Sequence, residues 1–219
     1  MLAHLFLMDN SYDRIAEQWH ANSRGQAYVN HVLGYVDLVL EGLQPGARVL
    51  DLGCGTGEPI AAYIIGKGFR VTGVDESVKM LEIARNIVPE AELIHSDMLE
   101  VQLPGEFAAA IAWDSVFHVE RKNHQTVYRK LASSLETGGR LLLSVGGSDA
   151  DEGSEGTSPG DSAVEGFTSE MFGQTFFYSG YEPRVARSLL EAEGFQIERW
   201  EVDDPSSRGH IAVIARKIV

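Results

Sequence analysis

The segment Val49-Leu50-Asp51-Leu52-Gly53-Cys54-Gly55-Thr56-Gly57-Glu58 constrains this 219-residue chain more than any other. The run from Arg48 to Leu52 reads as a buried strand, and it passes directly into three glycines at alternate positions. Glycine at such a turn permits positive φ and lets a ligand lie against the backbone. The pattern beyond it becomes helical around Glu58 to Lys67. The glycines therefore sit between a strand and the start of a helix, whose free N–H groups and positive dipole end suit an anionic group.

The rest of the chain keeps the same rhythm. Strands are expected at Phe69–Val74, Ala91–His95, Phe107–Trp113 and Arg140–Val145, with helices at Ser77–Ile87 and Arg121–Leu135 between them. Ser77 is placed to cap its helix. A helix at Pro183–Glu193 follows, then strands at Phe195–Val202 and His210–Arg216 joined by a turn with Pro205 and Gly209, which read as a hairpin. The expected fold is α/β: a Rossmann-like three-layer sandwich, with an antiparallel C-terminal hairpin at the edge of a parallel sheet. Two regions stand outside the alternation. Apolar residues recur at helical spacing from Tyr12 to Leu43, giving a helical cap over about 10–43. A stretch from Gly146 to Gly166, rich in Gly, Ser, Asp and Glu, opens a lid-like insert over about 146–182.

Hydrophobic residues make up 44% of the chain, which suits one domain over residues 1–219. The formal charge of −14, without a Lys/Arg cluster, argues against nucleic acid as a partner. The one cysteine, Cys54, excludes an intramolecular disulfide. Met1 to Met8 is apolar but too short, and lacks the flanks of a signal peptide. No apolar run reaches the ~20 residues of a spanning helix, so the expected compartment is cytoplasmic, with no membrane partner. No His/Cys cluster has metal-ligand spacing, and no metal is expected.

Three features sharpen the glycine turn. Asp51 stands two residues before Gly53, where it would repel a pyrophosphate but neutralise an ammonium. The next strand ends in Asp75, 22 residues beyond Gly53, where an acid meets ribose hydroxyls. The strand after it ends in Ser96-Asp97-Met98, able to meet an adenine amino group. Together they describe a pocket for adenosine joined to an amino acid, without phosphate. Cys54 reads as a small residue packed behind that ligand. An NAD-dependent reductase is disfavoured because the G-x-G-x-x-G spacing is missing.

With these residues in place, the chain resembles the class I S-adenosylmethionine-dependent methyltransferases, in the branch of small bacterial enzymes acting on small molecules. Val49 to Gly57 matches the family's first motif, Asp75-Glu76-Ser77-Val78-Lys79-Met80-Leu81 its second, and His95-Ser96-Asp97-Met98 its third. Ala112-Trp113-Asp114-Ser115-Val116-Phe117-His118 stands at the fourth, and Leu135 to Leu143 matches the turn before the fifth strand. The chain departs at Ala108, where relatives often have Asp, and at Thr137, where Pro is common. The resemblance implies a seven-stranded sheet and S-adenosyl-L-methionine as cofactor. It implies cofactor contacts from Asp51, Gly53, Cys54, Gly55, Gly57, Asp75, Glu76, Met80, Ser96, Asp97, Met98 and Trp113. It also implies that the helix with Tyr12 and Trp19 closes over the methionine end. The expected reaction is methyl transfer to a small-molecule acceptor, with His118 as candidate base and Asp114 as a candidate acid that orients the acceptor or meets the methionine ammonium. Protein or RNA methylation, or binding without catalysis, are the alternatives.

Overall fold

The computed structural model describes residues 10–22, 25–146, 166–204 and 210–219. Helices α1 (Ser11–Ala21) and α2 (Gln26–Leu40) precede β1 (Arg48–Leu52), α3 (Ile60–Gly66), β2 (Arg70–Asp75), α4 (Val78–Ile87), β3 (Glu92–His95) and β4 (Phe107–Ala112). There follow α5 (His124–Ser134), β5 (Leu135–Val145), β6 (Phe167–Met171), β7 (Gln174–Tyr178), α6 (Pro183–Ala192), β8 (Phe195–Asp204) and β9 (His210–Lys217). The main sheet has seven strands in the order β3-β2-β1-β4-β5-β9-β8. Its first five strands are parallel, and β9 runs antiparallel to both β5 and β8. The α/β sandwich and the antiparallel C-terminal hairpin expected from the sequence are both present.

Alternating residues send the sheet's side chains into two cores, one on each face. Leu50, Leu52, Leu141, Leu143 and Val213 pack with Tyr128 and Leu131 of α5 and Leu190 of α6. Val49, Ile111, Leu142 and Ile214 pack with Val36 and Val39 of α2, Ile64 of α3 and Ala84 of α4. Burial on both faces is why β4 reads as an unbroken apolar run, and β1 as one from Val49 to Leu52 broken only at Asp51. The helix starts carry their own signals. Ser77 Oγ accepts the Met80 N–H at 3.1 Å, and Asn10 Oδ1 accepts the Tyr12 N–H at 2.9 Å.

Two boundaries differ from the sequence reading. The helix expected at Arg121–Leu135 begins as a 3₁₀ turn, Arg121–Asn123, before α5, and its last residue opens β5. β5 thus starts five residues before the expected Arg140, with a register shift against β4 between Phe107 and Ala109. The second difference lies in the insert. Residues 167–178, within the insert expected over about 146–182, form a two-stranded sheet, β6–β7. Its turn is Phe172-Gly173, both with positive φ (50° and 72°), the geometry of a hairpin turn usually marked by Asn-Gly or Asp-Gly. Phenylalanine hides that signal. The glycine-rich stretch expected as a mobile loop falls mainly on residues 147–165, and the expected Pro205–Gly209 turn on 205–209; both lie outside the described residues. No helix among the described residues is long and apolar enough to cross a membrane.

Candidate active site

The parallel strands β1, β2, β3 and β4 end at one edge of the sheet, the edge where open α/β folds bind ligands. A cavity of about 1170 Å³ opens there. That exceeds the roughly 300–1,000 Å³ of a single-ligand pocket, leaving room for two molecules side by side.

The floor is built by the glycine turn. Gly53 and Cys54 donate their N–H groups to the Val74 carbonyl at 2.8 and 3.0 Å, docking the end of β1 onto the end of β2. Gly53 has φ 86°, and a Cβ there would lie 2.3 Å from Ser115 Cβ, so no side chain fits. The Asp75 carboxylate is set by two backbone donors: Gly55 N–H to Oδ2 and Ser77 N–H to Oδ1, each 2.8 Å. Burial raises its pKa, and the two N–H bonds oppose that rise.

Asp51 is the unusual acid. It is 2% exposed, lines the cavity, and has no hydrogen-bond partner among the described residues. Burial, with Asp75 adding repulsion, pushes its pKa up to about 7. A buried carboxylate without donors is expensive unless a cation arrives.

Of the expected cofactor residues, Tyr12, Trp19, Asp51, Gly53, Cys54, Gly55, Asp75, Glu76, Met80, Ser96, Asp97, Met98 and Trp113 all line the cavity. Gly57 does not. It is buried behind the turn with φ 83°, and a Cβ there would come within 2.8 Å of Val88 Cγ2, so this glycine serves the packing of the turn against the end of α4. Cys54 is buried against Gly73, and burial raises its thiol pKa, which leaves it neutral and inert. Asp97 is exposed, with Oδ1 accepting the Leu99 N–H at 2.6 Å.

The roof comes from α1, α2 and the β6–β7 hairpin. Asp13 of α1 accepts from the Ser77 hydroxyl (2.6 Å) and the Lys79 N–H (2.9 Å), tying α1 to the positive end of α4. The Tyr12 ring lies 5.9 Å from Trp19 and 4.7 Å from Phe176 of β7. Its hydroxyl is 2.8 Å from His118 Nε2. His118 Nδ1 is 2.8 Å from the Phe177 carbonyl, an acceptor only, so Nδ1 carries the hydrogen and Nε2 accepts from Tyr12. Burial lowers the imidazole pKa, keeping it neutral. His118 lines the cavity, and its acceptor nitrogen is engaged by Tyr12.

Asp114 also lines the cavity, at φ 50°. The Tyr28 hydroxyl donates to its Oδ2 at 2.8 Å, and Trp113 Nε1 donates to the Tyr28 oxygen at 2.9 Å. His210 Nε2 lies 2.7 Å from Asp114 Oδ1, and His210 Nδ1 meets Asp203 Oδ1. Tyr28, Asp203 and His210 are not among the cofactor or catalytic residues expected from the sequence. Their partners lie 86 and 96 positions away for Tyr28 and His210, so no local spacing marks them. Among the described residues no group of His, Cys, Asp and Glu could hold a metal ion.

With this geometry established, residues 49–139 match a family model described as a methyltransferase domain. The Bacillus subtilis protein YqeM is 36% identical over 104 residues, covering 45% of this chain and 42% of that protein. The 27-O-demethylrifamycin SV methyltransferase of Amycolatopsis mediterranei is 33% identical over 108 residues, 46% of this chain and 39% of the enzyme. The match thus spans less than half the length of these curated relatives. Among solved structures, the 1,6-didemethyltoxoflavin-N1-methyltransferase of Burkholderia thailandensis superposes with a TM-score of 0.67 at 20% identity, over 94% of this chain and 86% of that one. At that identity the superposition establishes the fold.

Proposed function

We propose that this chain, whose residues 49–139 match the methyltransferase-domain family, is a class I S-adenosylmethionine-dependent methyltransferase that binds S-adenosylmethionine at the ends of β1–β3 and methylates a small-molecule acceptor beneath α1, α2 and the β6–β7 hairpin. The observation that carries this reading is Asp51. A buried, unpartnered carboxylate next to a glycine turn calls for a cation without phosphate, and the amino-acid ammonium of S-adenosylmethionine has that chemistry. The bound group supplies a methyl on a positively charged sulfur, already activated for transfer.

The residues of the chain then bind, align and exclude water. Asp75, pre-oriented by the Gly55 and Ser77 N–H groups, has lone pairs left for ribose hydroxyls. Ser96 and Asp97 stand at the end of β3 for the adenine edge, and Met80 offers an apolar wall. Tyr12, Trp19 and Phe176 close the roof over the acceptor. The named substrates of two of the proteins above, a rifamycin and a toxoflavin precursor, are small organic molecules, which supports the same acceptor class here.

Calorimetry with S-adenosylhomocysteine tests the reading. The wild type is expected to bind it, and Asp75→Ala to bind it roughly 10- to 100-fold more weakly, the effect of losing a hydrogen-bonding charge. No binding by the wild type, or binding of NAD instead, overturns the proposal.

A further inference from the structure

We propose that His210 and Asp203 are positioning residues that fix Asp114 as an anion in the acceptor half of the cavity, where it selects an acceptor bearing an amino group. This inference rests on the methyl-transfer reading above.

The placement of Asp114 is the first argument. It follows β4 at the centre of the sheet, and its partners His210 and Asp203 come from β9 and β8, on the far side of β5. Asp75 and Asp97 come from β2 and β3, on the opposite side of β1. Asp114 therefore looks into the half of the cavity away from the adenosine acids.

The second argument is the effort spent on holding it. Asp114 keeps a left-handed φ of 50°, uncommon outside glycine though more accessible to Asp than to most residues. Three hydrogen bonds hold it: its N–H donates to Ser144 Oγ (2.7 Å), Tyr28 donates to Oδ2, and His210 faces Oδ1, itself backed by Asp203. With a carboxylate on each ring nitrogen, His210 donates from both and is an imidazolium. Burial alone would lower its pKa, but the bonds to Asp114 and Asp203 raise it to about 9. The Asp203 side chain is 1% exposed, so this charge pair is not a solvent-screened surface bridge. The imidazolium is held between the two carboxylates, and Asp114 is the one that lines the cavity.

Besides Asp114, the cavity outside the β1–β3 ends is lined by Glu120, and no Lys or Arg is among its described lining residues. A carboxylate or phosphate acceptor would meet only like charge there. A hydroxyl acceptor brings no charge to pair with Asp114, and the neutral nitrogen of His118 is engaged by Tyr12. An amine enters as an ammonium that donates N–H to Asp114, and the carboxylate can take up one of its protons to free the nitrogen lone pair.

The test measures binding to the protein saturated with S-adenosylhomocysteine, using matched series: phenethylamine, 2-phenylethanol and phenylacetate, and butylamine, butanol and butyrate. Calorimetry should show the amine of a series binding at least 10-fold more tightly than its alcohol, with the carboxylate weakest. Asp114→Asn should abolish that preference. His210→Gln and Asp203→Asn should each reduce it roughly 10-fold while S-adenosylhomocysteine affinity stays within about twofold of wild type, a split that general loosening of the fold would not give. If either variant fails to melt cooperatively, Asp114→Asn decides alone. Equal binding across the classes, silence from both series, or a preference that survives in Asp114→Asn overturns the inference. Loss of S-adenosylhomocysteine binding by the wild type would instead overturn the underlying methyl-transfer reading.

Discussion

At the ends of β1, β2 and β3, the side chains that meet in the cavity all come from the stretch between Asp51 and Met98, and their hydrogen bonds close over short separations: 20 positions from Gly55 to Asp75, two from Asp75 to Ser77. Across the same cavity the distances along the chain are of another order. Tyr12 meets His118 over 106 positions, Tyr28 meets Asp114 over 86, and Asp114 meets His210 over 96. The first half is a property of one supersecondary unit, a strand, a glycine turn and the next strand. The second is a property of the whole topology, assembled from α1, α2, β7 and β9. A chain built this way can keep its cofactor half while its acceptor half changes, since substitutions in the roof leave the glycine turn's contacts intact.

The sharpest way to break this comparison is at Gly53, where the two halves touch. A methyl group there must take φ 86° and sit 2.3 Å from Ser115 Cβ, and Ser115 is held by its own bond to the Leu52 carbonyl at 2.8 Å. Adding the cost of a left-handed residue to that of overpacking, Gly53→Ala is expected to lose about 2–5 kcal/mol of stability. Urea unfolding measures it, and a loss below about 1 kcal/mol would show that the turn relaxes and that the halves are not locked together there.

The same contrast explains what was legible from residue order alone. The glycine turn, Asp51, Asp75 and the edge at Ser96–Met98 were readable because a parallel sheet puts every strand end on one side, so polar residues closing successive apolar runs must converge. The alternation of buried residues likewise marked β1, β4 and the C-terminal hairpin. Gly57 shows where the motif misleads: its spacing suits a ligand turn, but its positive φ serves contact with Val88. The β6–β7 hairpin was hidden because Phe172, rather than Asn or Asp, precedes Gly173 at its turn. His118 was placed in the right region, yet its bond to Tyr12 depends on how α1 folds back across the sheet, which no spacing encodes.

Asp51 sharpens the comparison from the cofactor side. Its pKa is about 7 in the folded chain against 3.8 for the ordinary group, so the native state holds the extra proton between those values. The stability this contributes is complete below about pH 3.8 and is lost as pH rises through 7. Asp51→Asn stays neutral throughout. Without ligand, the variant should match the wild type near pH 4 and become more stable by about 1–3 kcal/mol above pH 7, where the wild type carries a buried charge. Its S-adenosylhomocysteine affinity should fall, because the ammonium loses its counter-charge. Urea midpoints against pH, paired with calorimetry, decide this. A stability difference that is flat with pH would mean Asp51 is already ionised by a partner.

The smallest effect is expected at the seam of the roof. Tyr12→Phe removes the hydroxyl that bonds His118 Nε2 but keeps the ring against Trp19 and Phe176. One hydrogen bond between neutral groups contributes about 0.5–1.5 kcal/mol. That cost should appear locally, because Asp13 still ties α1 to Ser77 and Lys79. Hydrogen exchange should therefore quicken in α1 and in β7, whose Phe177 carbonyl holds the other side of the His118 ring, while the amides of β1 and β2 keep their protection. S-adenosylhomocysteine affinity should change by no more than a few fold, since the Asp75 contacts are untouched. If affinity instead falls as far as in Asp75→Ala, Tyr12 belongs with the cofactor residues, and the boundary between the two halves runs through α1 rather than beneath it.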